Sequence, residues 1–552
     1  MRKKNSLLWI FKRINKRIPA LVIMTLAHVG HAFMGVVFAL GTRAVIDCAV
    51  AGQKDAFVNA CVRQGMIIGI LLLCLTIYRH KKEHLSALLD RDWKKNLLDG
   101  LLHGEYCEVS GYHSGELINR MNNDVRMVNE GVLNVFPNLA AMLTRLAAAM
   151  TVLLVLEPWF AIVILIMGIL VVVTTAFMRK NLKGLHKKVS EQEGIVSGFL
   201  QEVLEKLLIV QAMDIADEME KRSDKFLEQR FQIQRKRKNV SLVANTSVSI
   251  LAYGAGFVTL VWCAFQLLNG RITFGSMTAV IQLVNQLQTP FVSISGVIPQ
   301  YISMIASAER LMELEQIPRE KEVTDESTEE IYKNMQKIVA KDICFSYERE
   351  EILKDASFEL PKGAFAVITG PSGIGKSTLL KVFLGIFGLD GGEIYIEGNR
   401  KMSVDRSTRK LFAYVPQGNL LFSGTLRDNL IVAKPDATEE EIRKALFVSA
   451  MDEYLEQMPE GLDTIVGENA AGLSEGQAQR LAIARAILGG APILLLDECT
   501  SALDELTEKK VLERIRGLDD RTCIAVTHRP AALEICDYNM VIGEKKIKKE
   551  TM

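Results

Sequence analysis

Gly370-Pro371-Ser372-Gly373-Ile374-Gly375-Lys376-Ser377-Thr378 decides how the second half of this chain is read. It fits G-x-x-x-x-G-K-[S/T], a loop that wraps nucleotide phosphates in backbone N–H groups. The loop and the N-terminus of the following helix would hold the β- and γ-phosphates. Lys376 adds a point charge there, and Ser377 is positioned to ligate Mg²⁺. The bland alternative is a glycine turn before a helix, and the loop's surroundings argue against it.

Upstream, Ala364 to Thr369 reads as a buried strand; downstream, Thr378 to Phe387 reads as a helix. Leu473-Ser474-Glu475-Gly476-Gln477 follows at a distance, then Ile493-Leu494-Leu495-Leu496-Asp497-Glu498. Asp497 ends an apolar strand, so its carboxylate emerges at the sheet edge beside the phosphate loop, suited to a Mg²⁺ contact. Glu498 is next, placed to polarise an attacking water. Thr522 to Thr527 is a later strand. Strands alternating with helices from residue 337 onward predict a mostly parallel α/β sheet.

The first 300 residues are of another kind. The chain has 552 residues, 49 % of them hydrophobic, and apolar runs of membrane length crowd residues 20–305. Six spans are expected: 20–46, 56–79, 133–156, 158–178, 242–268 and 273–303, the second interrupted by Arg63 and Gln64. Glu157-Pro158 makes a tight hairpin. The basic N-terminus with Leu7, Leu8, Trp9, Ile10 and Phe11 predicts an interfacial helix. Lys and Arg concentrate in 79–132 and 179–240, which places both termini and both long connections in the cytoplasm of a multi-pass plasma-membrane protein. Those connections read as helices that continue past the membrane and turn back at a short element. Charged 313–335, with Pro318, reads as a linker. The fold class is therefore multidomain: an all-α six-helix transmembrane domain (1–312) and, after the linker, an α/β P-loop domain (336–552). A net charge of +1 gives no case for nucleic acid, and nine scattered cysteines with no C-x-x-C pair suit reduced thiols.

Taken in order, these motifs resemble the ATP-binding cassette of ABC transporters, and the whole chain resembles a bacterial exporter-type half-transporter. The remaining roles are what that resemblance implies. Tyr347 matches the aromatic that stacks on adenine, Gln417 in Val415-Pro416-Gln417 the glutamine that senses Mg²⁺ and the attacking water, and His528 the switch histidine at the γ-phosphate. Asp504 in Ser501-Ala502-Leu503-Asp504 matches the loop that crosses a dimer interface. Ser474, Gly476 and Gln477 match the signature that binds ATP held by the opposite protomer. Glu475 stands where the family most often has glycine, and an added carboxylate near phosphate repels it unless it points away. Thr464 to Glu468 resembles a segment that touches the membrane domain, with Ala470 where another glycine is usual. Ser114 to Val125 resembles the first coupling region, and Ile209 to Met213 the second.

In the membrane half, Gln282, Asn285, Gln286 and Thr289 share one helix face. They either line a translocation cavity or hydrogen-bond between helices. His28 and His31 read as packing, Arg43 and Asp47 as an internal ion pair, and Cys499 as packing. The expected function is ATP-driven transport, exporting a drug, lipid, peptide or other amphipathic substrate, with ATP and Mg²⁺ as cofactors and a second half-transporter chain as partner. An importer on the same scaffold and a subunit of a heterodimer are the alternatives. The substrate is not legible.

Overall fold

Apolar runs too long for a soluble core and a 3.6-residue period build the first unit entirely from helices. The computed structural model describes residues 2–320, 327–347, 350–418, 421–467, 472–518, 520–543 and 546–551; side chains within 2–5, 163–190, 244–248, 289–295 and 550–551 are described only in part. Two compact units emerge. One comprises 1–102 with 113–316, the other 103–112 with 317–552.

The membrane unit contains α1 (Arg2–Arg13), α2 (Ile18–Val50) and α3 (Lys54–Leu102); α4 (Tyr106–Ser110) belongs to the second unit. Next come α5 (Ser114–Asn119), a π-turn at Arg120–Asp124, α6 (Val125–Leu156), α7 (Pro158–Glu205), α8 (Leu207–Ala212), α9 (Ala216–Leu268) and α10 (Phe274–Glu315). At 1.5 Å per residue α3, α7 and α9 each exceed about 70 Å, more than twice the roughly 30 Å of a hydrocarbon core. Each therefore projects well beyond it. Among the described residues, Asn15–Val50, Lys54–Leu102, Ser114–Leu156 and Ser249–Leu268 are helices long and apolar enough to cross a membrane. The expected spans at 158–178 and 273–303 run through α7 and α10, where part of the side chains lies outside the described residues.

Charged residues pin this unit. Asp47 pairs with Arg43 at 3.5 Å and accepts the Gly275 N–H at 3.0 Å, tying the end of α2 to the start of α10. Trp9 donates to Glu315 at 2.8 Å and stacks 5.0 Å from Trp93, so α1 packs on the far end of the bundle. Arg120 reaches Glu116, the Arg310 carbonyl and Glu313. Asp124, 4 % exposed, accepts from Ser307 at 2.9 Å and from Arg310 Nε at 2.9 Å. Ser114 to Val125 thus packs on α10, inside the membrane unit. Residues 103–112 belong to the second unit: Glu105 N–H donates to Pro318 O, Glu320 N–H to His103 O, and the Tyr106 ring meets Phe387 edge-on at 6.0 Å. Arg120 and Asp124 have α10 as partner, which a reading along the chain cannot see.

The second unit continues with α11 (Thr328–Asn334), β1 (Lys337–Tyr347), β2 (Glu350–Pro361), β3 (Phe365–Thr369), α12 (Lys376–Phe383), β4 (Gly391–Glu397), β5 (Met402–Ser403), β6 (Phe412–Val415) and β7 (Gly424–Thr425). Then follow α13 (Leu426–Ile431), α14 (Glu439–Val448), α15 (Asp452–Leu455), β8 (Ile465–Val466), α16 (Glu475–Leu488), β9 (Ile493–Asp497), α17 (Glu505–Arg516), β10 (Thr522–Val526), α18 (Pro530–Ile535), β11 (Tyr538–Gly543) and β12 (Lys546–Thr551). α11 falls inside the stretch read as linker, with Tyr332 buried and its hydroxyl 3.1 Å from Thr522 Oγ1. α12 stops four residues short of Phe387, because Gly385 takes φ 60° and its N–H closes back on Val382 O.

Six strands form the main sheet in the order β12-β11-β3-β10-β9-β6, parallel except for β12. Both faces are buried, so its strands read as continuous apolar runs. Val367, Leu494, Leu496 and Ala525 face the helices from α13 to α18. Ile368, Leu495, Ile524 and Val526 face α12 and the antiparallel sheet β2-β1-β4-β5.

The Asp124 cluster yields the first prediction. Asp124→Asn keeps the volume but removes the charge that Arg310 and Ser307 address, a loss of about 2 kcal/mol for hydrogen bonds to a charged group. The thermal inactivation midpoint of the detergent-solubilised chain should fall by several degrees; an unchanged midpoint would mean α6 and α10 do not depend on the pair.

Candidate functional site

Four neighbouring parallel strands, β6, β9, β10 and β3, end level with one another. Val526 aligns with Asp497 on one side and Ile368 on the other, and Val415 with Leu496. The segments that follow them carry Gln417, Asp497 and Glu498, His528, and the glycine loop 370–375. In an open parallel sheet, the carboxyl ends of the strands are where ligands bind.

The loop enters α12 with Gly375 at φ 105°, and a Cβ there would lie 2.2 Å from Ile352 Cγ2. Glycine is required on both counts. Pro371, Ser372, Gly373 and Ile374 form the turn between, with Ile374 N–H donating to Pro371 O. Lys376, 6 % exposed, donates to Gly370 O at 2.8 Å and Pro371 O at 3.1 Å. Ser377 Oγ donates to Asp497 Oδ1 at 2.8 Å, and Tyr414 hydroxyl to Asp497 Oδ2 at 3.0 Å. Asp497 is 1 % exposed; burial pushes its carboxyl above the usual range, and the Ser377 and Tyr414 hydrogen bonds oppose that. Burial and the adjacent carboxylate push the Tyr414 phenol well up. A serine oxygen and a carboxylate oxygen side by side are hard donors of the kind a small divalent cation takes.

Glu498 occupies the left-handed region at φ 47°, with its N–H donating to Val526 O at 3.0 Å. Backbone strain of this kind clusters at working sites. Its carboxylate accepts from Gln417 Nε2 at 2.7 Å, so the glutamine and the glutamate, distant in sequence, are brought together. His528 is exposed, two residues beyond the end of β10. Tyr347, 40 % exposed, is held edge-on by Phe345 at 5.0 Å and Phe387 at 5.5 Å, and its hydroxyl accepts from Thr378 at 3.3 Å.

Ser474 caps α16: its Oγ accepts from Gln477 N–H, and Gln477 Oε1 accepts from Ser474 N–H at 2.7 Å. This capping box leaves the N–H groups of Glu475 and Gly476, in the helix's first turn, without an intrahelical partner. The Glu475 side chain is exposed in that turn, where a carboxylate favours the helix dipole by roughly 0.5 kcal/mol. Gly476 lies against the following loop, and a Cβ there would come within 2.9 Å of Ala502 O. Asp504 caps α17, accepting from Thr507 N–H at 2.9 Å, and that bond holds its carboxyl below the usual range.

Several supporting residues escaped the sequence reading. Gln479, 3 % exposed, donates to Ser501 Oγ and accepts from Ala502 N–H, both at 3.1 Å. Arg529 donates to Leu503 O at 2.8 Å, to Ser501 O, and to Glu508 at 3.2 Å. Glu508, 1 % exposed, also accepts from Thr500 at 2.7 Å. One signal was available: Glu508, Val511, Leu512 and Ile515 form the buried stripe of α17, and an acid on an apolar stripe calls for a partner. Burial pushes the Cys499 thiol up to about 12, which leaves it packing. Glu468 and Ala470 lie outside the described residues, while Ile465 is exposed on β8, paired with β7.

In the membrane unit, Gln286 donates to Gly35 O at 2.7 Å, an interhelical bond between α10 and α2; Gln282 is half-buried, Asn285 exposed, and the Thr289 side chain lies outside the described residues. His28 stacks on Tyr78 at 4.2 Å and His31 Nδ1 lies 3.3 Å from Leu71 O.

Comparison with known proteins fits this geometry. Residues 21–291 match the ABC transporter transmembrane region, and residues 353–501 match the ABC transporter family. An ATP-dependent lipid A-core flippase of Desulfotalea psychrophila is 30 % identical over 85 % of this chain and 82 % of its own length. A flippase so named from Vibrio cholerae serotype O1 is 26 % identical over 98 % and 93 %. A bacterial Atm1-family ABC exporter solved with ATP bound superposes with a TM-score of 0.80 at 22 % identity, covering 98 % of this chain and 95 % of that one. With a membrane region and an ATP-hydrolysing cassette fused in one polypeptide, the chain belongs to the ABC transporter family and is an ATP-driven membrane transporter of exporter fold.

Proposed function

We propose that this chain is half of a plasma-membrane exporter for a lipid-like amphiphile, working as a two-chain assembly with its termini and cassette in the cytoplasm. The observation that carries the reading is the pairing at the strand ends: Ser377 with Asp497, and beside it Gln417 with Glu498. ATP would lie with its adenine on Tyr347 and its phosphates in Gly370 to Thr378, Lys376 supplying charge. Ser377, Asp497 and the Gln417 amide oxygen would hold Mg²⁺, which neutralises charge on the β- and γ-phosphates when bound. Glu498, oriented by Gln417, takes the proton of the attacking water, and His528 reads the γ-phosphate.

The partner's phosphates would meet the start of α16, at the N–H groups of Glu475 and Gly476 and the Ser474 hydroxyl. Glu475 weakens that half-site unless its carboxylate stays in solvent. Gly476, Gln479, Ala502 and Arg529 tie the signature, Asp504 and His528 segments together, so assembly at one site is felt at the other. Exposed apolar residues at the turn around α8, Leu207, Leu208, Ile209 and Met213, suit contact with a second chain. Lys and Arg in the long connections support the orientation. The name of the flippase relatives supports a lipid-like cargo.

Glu498→Gln should nearly abolish ATP turnover while ATP still binds, and Lys376→Ala should weaken binding itself. Both are read in lipid nanodiscs by phosphate release and by nucleotide titration. Wild-type turnover in Glu498→Gln would remove its role. The mass of the wild-type particle decides partnership: an active two-chain particle supports self-assembly, and an inactive or single-chain particle refutes it.

Arg529→Ala leaves the Glu508 carboxylate buried without its cation. Because Arg529 is itself about a third exposed, the cost is discounted to about 2 kcal/mol. The thermal midpoint should drop and ATP-dependent turnover should fall with nucleotide affinity kept; a variant with normal turnover would show that the 501–504 loop needs no brace.

A further inference from the structure

Asp497 is buried, and among the described residues two side chains hydrogen-bond to its carboxylate. Ser377 Oγ donates to Oδ1 at 2.8 Å and the Tyr414 hydroxyl to Oδ2 at 3.0 Å, so each oxygen has its own donor. The donors come from different elements, Ser377 from the first turn of α12 and Tyr414 from β6. Tyr414 pairs with Leu495, two residues before Asp497, so both side chains stand on the same face of the sheet. The step from Leu495 to Asp497 is about 7 Å of strand rise, a span that a tyrosine hydroxyl reaches and a serine or threonine hydroxyl does not. The ring of Tyr414 packs against the apolar cluster that holds Leu495 and Phe412, a task phenylalanine would do as well. The hydroxyl is the part that packing leaves unexplained.

The two bonds respond differently to a cation. A serine hydroxyl that turns a lone pair to a divalent cation points its hydrogen away, so Ser377 stops donating to Oδ1 once both oxygens act as ligands. Tyr414 holds the other oxygen and stands clear of that exchange. The final torsion of an aspartate is broad, and a buried carboxylate with a free oxygen has no fixed plane of its own. The Tyr414 bond supplies that plane from a strand whose position the sheet already sets.

We propose that Tyr414 is a positioning residue for the metal: its hydroxyl fixes the plane of the Asp497 carboxylate and so keeps Oδ1 beside Ser377 Oγ as a ready pair of ligands for Mg²⁺. The inference rests on the reading of Ser377 and Asp497 as metal ligands. Tyr414 acts through Asp497, so loss of its hydroxyl weakens the metal and spares nucleotide binding that needs no metal.

The test is Mn²⁺ binding to the detergent-solubilised full chain at saturating β,γ-imido ATP, read by the loss of the free Mn²⁺ electron paramagnetic resonance signal. Tyr414→Phe removes one oxygen and keeps the ring; it should weaken Mn²⁺ roughly tenfold, as the loss of one hydrogen bond to a charged group allows. Affinity for the analogue in EDTA should stay that of wild type. Half-saturating Mg²⁺ for ATP turnover should rise by a similar factor, while turnover at saturating Mg²⁺ stays within about twofold. Ser377→Ala, in the same titration, should also weaken Mn²⁺. A loss in Ser377→Ala beside wild-type Mn²⁺ affinity in Tyr414→Phe overturns the proposal and keeps the ligand assignment; no loss in either removes the assignment as well. Slow turnover of Tyr414→Phe at every Mg²⁺ concentration, with weaker analogue binding in EDTA, would assign the side chain to packing and overturn the proposal too. Tyr414→Leu is the second variant and should read as Tyr414→Phe does; failure of both to fold would likewise assign Tyr414 to packing.

Discussion

The cassette depends on the hydrogen-bonded register of β6, β9, β10 and β3. Backbone pairing aligns Asp497, Val526 and Ile368, and sets Val415 beside Leu496 one residue earlier, so four chain segments leave the sheet together. From that alignment follow the 2.8 Å bond between Ser377 and Asp497 and the 2.7 Å bond between Gln417 and Glu498. A slip of one residue in a parallel pair turns every side chain to the other face, moving Leu494 and Leu496 out of the helical core and Asp497 away from the loop. Burial on both faces forbids that slip, so the same apolar packing that stabilises the sheet fixes the chemistry at its edge.

In the membrane unit the constraint is electrostatic. Apolar helices gain little from one another inside lipid, and direction comes from the few charged and amide groups that find partners. Asp47 at one end of α2, Gln286 on Gly35 along it, and Asp124 with Arg310 toward the cassette end fix α10 against its neighbours at three heights.

What was legible in the sequence is what is local. The glycine loop, the apolar strand before Asp497, and the Leu473-to-Gln477 signature all have their chemistry and their backbone geometry within a few consecutive residues. Tyr414, Gln479, Glu508 and Arg529 act across elements, and nothing adjacent to them marks the partner. Ser114 to Val125 shows the same limit in reverse: its polar pattern was visible, but Arg120 and Asp124 find their partners on α10, while 103–112, which belongs to the second unit, brings Tyr106 to Phe387. In the Gln282–Thr289 stripe, Gln286 pairs between helices with Gly35 O, a backbone carbonyl with no sequence mark.

Glu475 tests how far a local departure propagates. The side chain sits in the first turn of α16, where it favours the helix, and Gly476 keeps the backbone of that turn against Ala502. Gln479, one turn on, holds the same loop by two bonds, and Arg529 holds its other side. The position of the free N–H groups is therefore fixed by residues that Glu475 does not touch. The extra carboxylate changes the field at the start of α16 without changing the geometry there. A field of that kind is screened by salt over about 8–10 Å, whereas the backbone positions are not. In the proposed two-chain assembly the consequence is a half-site whose backbone geometry is kept but which binds phosphate more weakly at low ionic strength than its shape alone would make it.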